Sequence, residues 1–186
     1  MAQYILASQS PRRKQLLEWA EIDFDITMHP TDESYPAHLQ PDEVAIYVAE
    51  QKAIAVAKGI DAKTIIAADT IVVLDGCIIG KPQDRNDAIN ILSRLSNQTH
   101  LVITGVAIIR GDKKISFCDT TEVQFHPLTM EQIQFYVDKY QPYDKAGAYA
   151  IQEWIGVVGI KSIKGDFYNV MGLPVSRVVH TLQQFL

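Results

Sequence analysis

Short apolar runs alternate along the chain with segments whose apolar residues recur at helical spacing, which predicts a mixture of strands and helices. Strand-like runs occupy residues 4–7, 64–74, 77–79, 101–109, 115–125 and 155–163. We expect the second run to break at Asp69-Thr70, where a carboxylate interrupts the apolar pattern. The dipeptides Asp75-Gly76 and Gly111-Asp112 are typical of hairpin turns, so several consecutive strands are predicted to pair.

Helices are predicted where capping residues precede amphipathic stretches. The predicted helices span residues 13–20, 42–57, 85–95 and 129–139, and a last helix begins at Pro174. Asp42 suits the cap of the second, and Thr129 with Gln132 forms a capping box for the fourth. Because hairpins occur among the strand–helix alternations, we predict the α/β class, with a mixed twisted sheet and flanking helices.

Composition and charge narrow the function classes. The chain has 186 residues and 20.8 kDa, enough for one domain or for two small lobes that share a core. It has 17 Lys and Arg against 22 Asp and Glu, a net charge of −5, which disfavours stable binding to nucleic acid or to an anionic membrane. No apolar run reaches the ~18 residues of a membrane span, and the N-terminus lacks a basic apolar leader, so we expect a cytoplasmic protein. Cys77 and Cys118 are predicted to be free, buried thiols.

The segment 8–13, Ser-Gln-Ser-Pro-Arg-Arg, lies directly between a predicted strand and a predicted helix. Ser10 suits the helix cap and Pro11 the first turn. Arg12 and Arg13 place two positive charges at the positive end of the helix dipole, where a bound anion would relieve the conflict. Backbone N–H groups, guanidinium groups and serine hydroxyls together suit a phosphate. A capped helix with solvated arginines explains these residues equally well.

Asp69 is a second candidate, because a carboxylate between two apolar tetrads is costly unless it is paired, hydrogen-bonded or bound to metal. An Asp at a bulge, satisfied by backbone N–H groups, is the alternative. Lys52 and Lys81, taken singly, are typical solvated charges. The small residues of segment 144–152 suit either a close approach to a ligand or an ordinary connection.

Four motifs occur in a fixed order with compatible spacing. They are L-A-S-Q-S-P-R-R from Leu6, A-A-D-T-I-V from Ala67, G-K-P-Q-D from Gly80 and D-K-A-G-A-Y-A-I-Q from Asp144. With them the chain resembles the Maf family of nucleoside triphosphate pyrophosphatases, over nearly its whole length. The resemblance implies a single Maf-like domain over residues 1–186, with two lobes around a central cleft as in the related inosine triphosphate pyrophosphatases. The lobe boundaries are not readable from the sequence.

The resemblance also implies a reaction and its residues. A nucleoside triphosphate would be hydrolysed to the monophosphate and pyrophosphate with a divalent metal cation, Mg or Mn. Asp69 would accept the proton of the attacking water, and it would bind the metal with Glu33; whether it acts as base or as ligand stays open. The residues implied to contact phosphates are Ser8, Arg13, Lys52 and Lys81.

Three positions, Arg12, Thr70 and Gln152, match the dTTP/UTP subgroup of the family rather than the 7-methyl-GTP subgroup. The Gln152 amide can accept from N3–H of uracil or thymine and donate to a ring carbonyl, a pairing that cytosine disrupts. Ala67 and Ala150 stand where the family commonly has glycine, and Glu153-Trp154 follows the glutamine where glycine often stands. These departures concern loop geometry, on which base preference depends.

Other functions stay open from the sequence. The alternatives are a 7-methyl-GTP-type pyrophosphatase, a noncatalytic nucleotide-binding regulator of cell division and a nucleic-acid-binding division factor. The last is disfavoured by the acidic charge balance. The expected partner is the nucleoside triphosphate substrate, and a homodimer is left open.

Overall fold

Strands and helices alternate over residues 3–60 and 62–186, the part of the chain that this computed structural model describes. The strands are β1 (Tyr4–Leu6), β2 (Phe24–Ile26), β3 (Thr64–Leu74), β4 (Cys77–Ile79), β5 (Thr99–Arg110), β6 (Lys113–Phe125) and β7 (Ile160–Lys164). The helices are α1 (Pro11–Trp19), α2 (Pro41–Ala57), α3 (Arg85–Leu95), α4 (Met130–Tyr140), α5 (Trp154–Gly159), α6 (Phe167–Met171) and α7 (Val175–Leu182). Short 3₁₀ helices occupy Ala146–Ala148 and Gln183–Phe185.

The strands of these residues form one hydrogen-bonded sheet in the order β2-β1-β3-β5-β6-β7, with β4 paired to β3. Strand β1 runs parallel to β2 and β3, so that Ile5 lies opposite Asp25 on one side and Ile65 on the other. Strand β4 is antiparallel to β3, and β7 is antiparallel to β6. The predicted α/β class with a mixed sheet and flanking helices is confirmed.

The predicted capping signals of α1 and α4 are confirmed, and that of α2 is wrong. At α1 the Ser10 hydroxyl accepts from the Arg13 N–H at 3.4 Å, as predicted. Asp42 is not the cap of α2: the helix begins at Pro41, and its cap is Gln40, whose N–H donates to the Glu43 carboxylate at 2.8 Å in a capping box. Helix α3 has the predicted bounds, and α4 has the predicted capping box. Among the described residues, no helix is both long and apolar enough to cross a bilayer.

Three other expectations were wrong. Strand β3 is continuous through Asp69-Thr70, because backbone hydrogen bonds form a strand whatever side chains it carries. Within β3 these two residues are partly exposed and all the others are buried. The run 155–163 begins as helix α5 and becomes β7 only at its second half, since a short apolar run has no periodicity that separates helix from strand. Both cysteines are free thiols, but Cys77 is exposed and Cys118 is half-buried.

Contacts divide the described chain into two compact units. Unit 1 contains the residues up to Thr70, with Thr104–Asp119 and Gly172–Leu186. Unit 2 contains Ile71–Ile103 and Thr120–Met171. The single-domain organisation and the central cleft stay predictions.

Unit 1 is built on close packing of α2 against the sheet. Small and β-branched side chains form this core, namely Ile5, Ala7, Ala49, Ala53, Val56, Ile65, Ala67, Ala107 and Ile109. At Gly105 in β5, an added Cβ would lie 2.2 Å from the carbonyl carbon of Ala45 in α2. The backbones therefore approach as closely as glycine allows, and this approach fixes the helix that carries Lys52.

Unit 2 contains a buried cluster of three rings, His100, Phe125 and Tyr149. His100 is 1% exposed, and its Nε2 lies 2.7 Å from the Tyr149 hydroxyl. Burial lowers the pKa of His100 from 6.5 to about 4 and raises the pKa of Tyr149. Both side chains are therefore neutral near neutral pH.

This cluster predicts acid sensitivity of the fold. The pKa of His100 is lower in the folded chain than in the unfolded chain, so its contribution to stability is complete above about pH 6.5 and is lost as the pH falls towards 4. The free energy of unfolding should lose about 2 kcal/mol from this group between about pH 7 and about pH 5. Urea titrations of wild type and His100→Gln should show a smaller pH dependence in the variant. The same substitution at exposed His126 is the control, and equal pH dependence in all three proteins would contradict the assignment.

Candidate functional site

Arg13 lies in the first turn of α1, with its guanidinium enclosed by unit 1 and the residue only 9% exposed. Nε donates to the Gly172 carbonyl at 2.8 Å, and Nη1 donates to the Ser8 hydroxyl at 3.2 Å. Nη2 donates to the Thr70 hydroxyl at 3.0 Å. Burial lowers the pKa of Arg13, and the negative charge of Asp69 opposes that shift. The guanidinium of Arg13 has more N–H groups than these three bonds use, so it can also bind an anion.

The Thr70 hydroxyl is the junction of a second set of bonds. It accepts from Arg13, and it lies 2.9 Å from the hydroxyl of Thr104, a fully buried residue of β5. It lies 3.4 Å from the Gly172 carbonyl. Residues that are far apart in the sequence thus hold the guanidinium from several sides.

Asp69, the residue before Thr70, is ion-paired with Lys52. Lys52 Nζ lies 2.7 Å from Asp69 Oδ1 and 2.7 Å from Glu33 Oε1. The Asp69 side chain is 16% exposed and that of Glu33 is 52% exposed, so one carboxylate is mostly buried and the other faces solvent. The carboxylate in the apolar strand is satisfied by an ammonium from α2, which decides between the pairing and bulge hypotheses.

The two carboxylates also fit a divalent cation. Mg²⁺ in nucleotide sites is commonly held by one or two carboxylates together with phosphate oxygens and waters. Asp69 and Glu33 offer such a pair, since their oxygens already converge on the Lys52 ammonium. No group of three or more His, Cys, Asp or Glu that suits a metal occurs within residues 3–60 and 62–186. The two carboxylates therefore suit a cation that is shared with a phosphate-bearing ligand.

The predicted site residues divide between the units. Ser8, Arg12, Arg13, Glu33, Lys52, Asp69 and Thr70 belong to unit 1. Lys81 and Gln152 belong to unit 2, and both are exposed. Within unit 2 the Gly147 N–H donates to the Gly80 carbonyl at 3.2 Å, so the loop before Gln152 contacts the residue before Lys81.

Sequence reasoning missed several residues of these networks. Thr104 and the Gly172 carbonyl hold Thr70 and Arg13, but a lone threonine in a strand and a backbone carbonyl leave no local signal. In unit 2, Lys145 is 8% exposed and ion-paired with Asp144 and Glu153. A lysine in a run of small residues was the available signal, because such a residue is costly to bury without a partner.

In unit 1 the arrangement can do two things chemically. A rigid guanidinium at a helix start, beside serine hydroxyls, can bind an anion. Asp69 precedes Thr70, which bonds this guanidinium. The Asp69 carboxylate, held by the Lys52 ammonium, can orient a water or share a cation with the bound anion. Both capacities suit a polyphosphate ligand.

Comparison with known proteins gives a consistent match. The sequence description of the family "Maf-like protein" matches residues 3–185. A protein of Cytophaga hutchinsonii named dTTP/UTP pyrophosphatase is 52% identical over 180 residues, covering 97% of this chain and 83% of that protein. Proteins of the same name from Bacillus velezensis and Bacteroides thetaiotaomicron are 48% and 46% identical. They match 97% and 98% of this chain, and 95% of each relative is covered.

Solved structures give weaker likenesses. The Ham1 protein of Staphylococcus aureus aligns with a TM-score of 0.49 and 14% identity, over 66% of this chain and 71% of that one. A HAM1 protein from Coxiella burnetii aligns with a TM-score of 0.46 and 16% identity, over 99% of this chain and 100% of that one.

Replacing Arg13 with Lys should destabilise the fold, because one ammonium cannot reach partners that lie around a planar fork. We expect the free energy of unfolding to fall by about 1–3 kcal/mol, the cost of buried acceptors left unpaired. Urea denaturation measures it, and the same substitution at exposed Arg94 in α3 is the control. Equal losses for the two variants would show that the bonds of Arg13 add nothing specific.

Proposed function

The chain belongs to the family of Maf-like proteins, and we propose that it hydrolyses dTTP and UTP to the nucleoside monophosphate and pyrophosphate. Relatives with the dTTP/UTP pyrophosphatase name, at 46–52% identity over almost the whole chain, support the substrate class. The structural observation that carries the proposal is the pairing of Asp69 and Glu33 on Lys52 directly beside the Arg13–Thr70 network.

Phosphate binding is assigned to the cationic and hydroxyl groups of the family motifs. Arg13 and Ser8 would hold phosphate oxygens at the start of α1, where the free N–H groups and the dipole also favour an anion. Lys52 and Lys81 would add positive charge. The bonds of Arg13 to Thr70 and Gly172 support this role, because they hold the guanidinium in position before any ligand arrives.

Asp69 is assigned to the attacking water. The water oxygen forms a bond to the α-phosphorus while its proton passes to the Asp69 carboxylate. The bond from the α-phosphorus to its bridging oxygen breaks, and pyrophosphate leaves with that oxygen.

Glu33 and Asp69 would hold the divalent cation, Mg or Mn, together with the phosphate oxygens. When bound, such a cation neutralises phosphate charge and stabilises the pyrophosphate leaving group. Lys52, which bridges the two carboxylates, would then turn towards the phosphates. This exchange of partners needs only rotation of a flexible side chain.

Base recognition is assigned to Arg12, Thr70 and Gln152. The Gln152 amide would accept from N3–H and donate to a carbonyl of uracil or thymine. The Thr70 hydroxyl is bonded to Arg13 and Thr104, which hold this side chain in position.

The test of the function is pyrophosphate release from a panel of nucleoside triphosphates, with and without Mg²⁺ or Mn²⁺. We expect release from dTTP and UTP that requires the metal. Nucleotide binding without release would reject the enzyme in favour of a noncatalytic regulator. Faster release from 7-methyl-GTP would reject the subgroup.

Asp69→Asn should lower turnover of UTP by more than about 10²-fold, the lower range for a positioned acid–base group. The substitution keeps the size of the side chain but removes the charge that water or metal needs. Asp75→Asn, in the exposed turn after β3, is the matched control and should keep wild-type turnover. Near-normal turnover in a folded Asp69→Asn protein would remove Asp69 from the mechanism.

UTP and dTTP should be preferred over CTP by roughly one to two orders of magnitude in kcat/KM, since an unpaired buried polar group costs about 1–3 kcal/mol. Cytosine exchanges the N3–H donor for an acceptor and the O4 acceptor for an amine. Competition at equal concentrations, reading the monophosphates formed, measures the ratio. Consumption of CTP as fast as UTP would contradict the role of Gln152.

A further inference from the structure

We propose that Lys145, Glu153 and Tyr136 form a clamp that holds the Gln152 loop in position, and that this clamp sets the selectivity for uracil and thymine over cytosine. The inference rests on the proposed function and assigns positioning residues to it. All three residues lie in unit 2, as does Gln152.

The clamp begins with a buried ammonium. The Lys145 side chain is 10% exposed, and its Nζ lies 2.7 Å from Asp144 Oδ1 and 3.7 Å from Glu153 Oε1. The Asp144 carboxylate is 62% exposed, whereas that of Glu153 is 23% exposed. A charge pair acts more strongly where water is excluded, so Glu153 is the partner that restrains the loop. The pair joins the start of the loop to the residue after Gln152.

The second carboxylate oxygen of Glu153 is bonded to α4. The fully buried Tyr136 hydroxyl donates to Glu153 Oε2, and the same oxygen of Tyr136 accepts from the Ala150 N–H at 3.2 Å. Ala150 and Glu153 lie on either side of Gln152 in the sequence. One phenol therefore bonds the backbone before the glutamine and the side chain of the residue after it.

The loop is also held at its middle. Gly147 has φ of +71°, and a Cβ there would lie 2.8 Å from a methyl carbon of Val72. Its N–H donates to the Gly80 carbonyl at 3.2 Å. The close approach to Val72 of β3 and the bond to the Gly80 carbonyl therefore hold the middle of the loop.

Selectivity depends on this restraint because a glutamine amide can flip. The flip exchanges its donor and acceptor and would suit cytosine as well as the original orientation suits uracil. Holding the backbone around Gln152 fixes the position from which its exposed side chain reaches the base, so the amide must meet either base from that one position.

The experiment compares Tyr136→Phe with Tyr140→Phe. Both changes remove one hydroxyl from stacked rings of α4, whose centroids are 5.0 Å apart, but only the first removes a clamp bond. In Tyr136→Phe we expect the UTP to CTP ratio of kcat/KM to fall at least about fivefold, with kcat for UTP within about twofold of wild type. The Ala150 amide should exchange its hydrogen faster in this variant. Tyr140→Phe should match wild type in both measurements.

Glu153→Gln provides a second test if Tyr136→Phe does not fold. It keeps an oxygen for the Tyr136 hydroxyl but removes the charge that faces Lys145, and it too should lower the ratio. An unchanged ratio in a folded variant, or an equal loss for every nucleotide, would overturn the clamp and leave the pyrophosphatase standing. A wild-type protein that releases no pyrophosphate from UTP would instead reject the proposed function and the selectivity role with it.

Discussion

The burial of one guanidinium constrains unit 1 more than any other feature. A buried charge that loses a partner costs several kcal/mol, so every element around Arg13 must supply an acceptor in the right place. Ser8 follows β1, Thr70 lies in β3 and Gly172 precedes α7, and all three bond to it. The bonds that satisfy this charge also assemble the proposed phosphate site. They bring together the end of β1, the start of α1 and the middle of β3.

The same rule places the other charged groups. Asp69 lies in an otherwise buried strand and is compensated by Lys52, which reaches it from α2. That helix can approach only because Gly105 and several alanines remove side-chain bulk from the interface. Close apolar packing thus determines where the ammonium lies, and the ammonium determines how the carboxylate is oriented.

Unit 2 uses a buried ion pair for a different purpose. Lys145 and Glu153 connect the two ends of a loop, and Tyr136 ties that loop to α4. The proposed metal contacts and most of the proposed phosphate contacts lie in unit 1, whereas Gln152, which is proposed to contact the base, belongs to unit 2 together with Lys81. The Arg13–Thr70 network and the contacts of Lys145, Glu153 and Tyr136 are therefore separate sets of interactions, each within its own unit.

Short-range patterns in the sequence correctly predicted the features that depend on short-range interactions, namely helix caps and a hairpin turn. The Ser10 cap, the capping box of α4 and the hairpin at Asp75-Gly76 each depend on residues a few positions apart, and each was confirmed. The ordered motifs identified the family without any structure. Tertiary structure alone decided that residues 154–159 are helical, since the same apolar run fits a helix or a strand until it packs. Tertiary structure alone also showed that Thr104 contacts Thr70 and that Glu153 pairs with Lys145. Such contacts follow from packing and charge compensation, which produce no recognisable pattern of residues in the sequence.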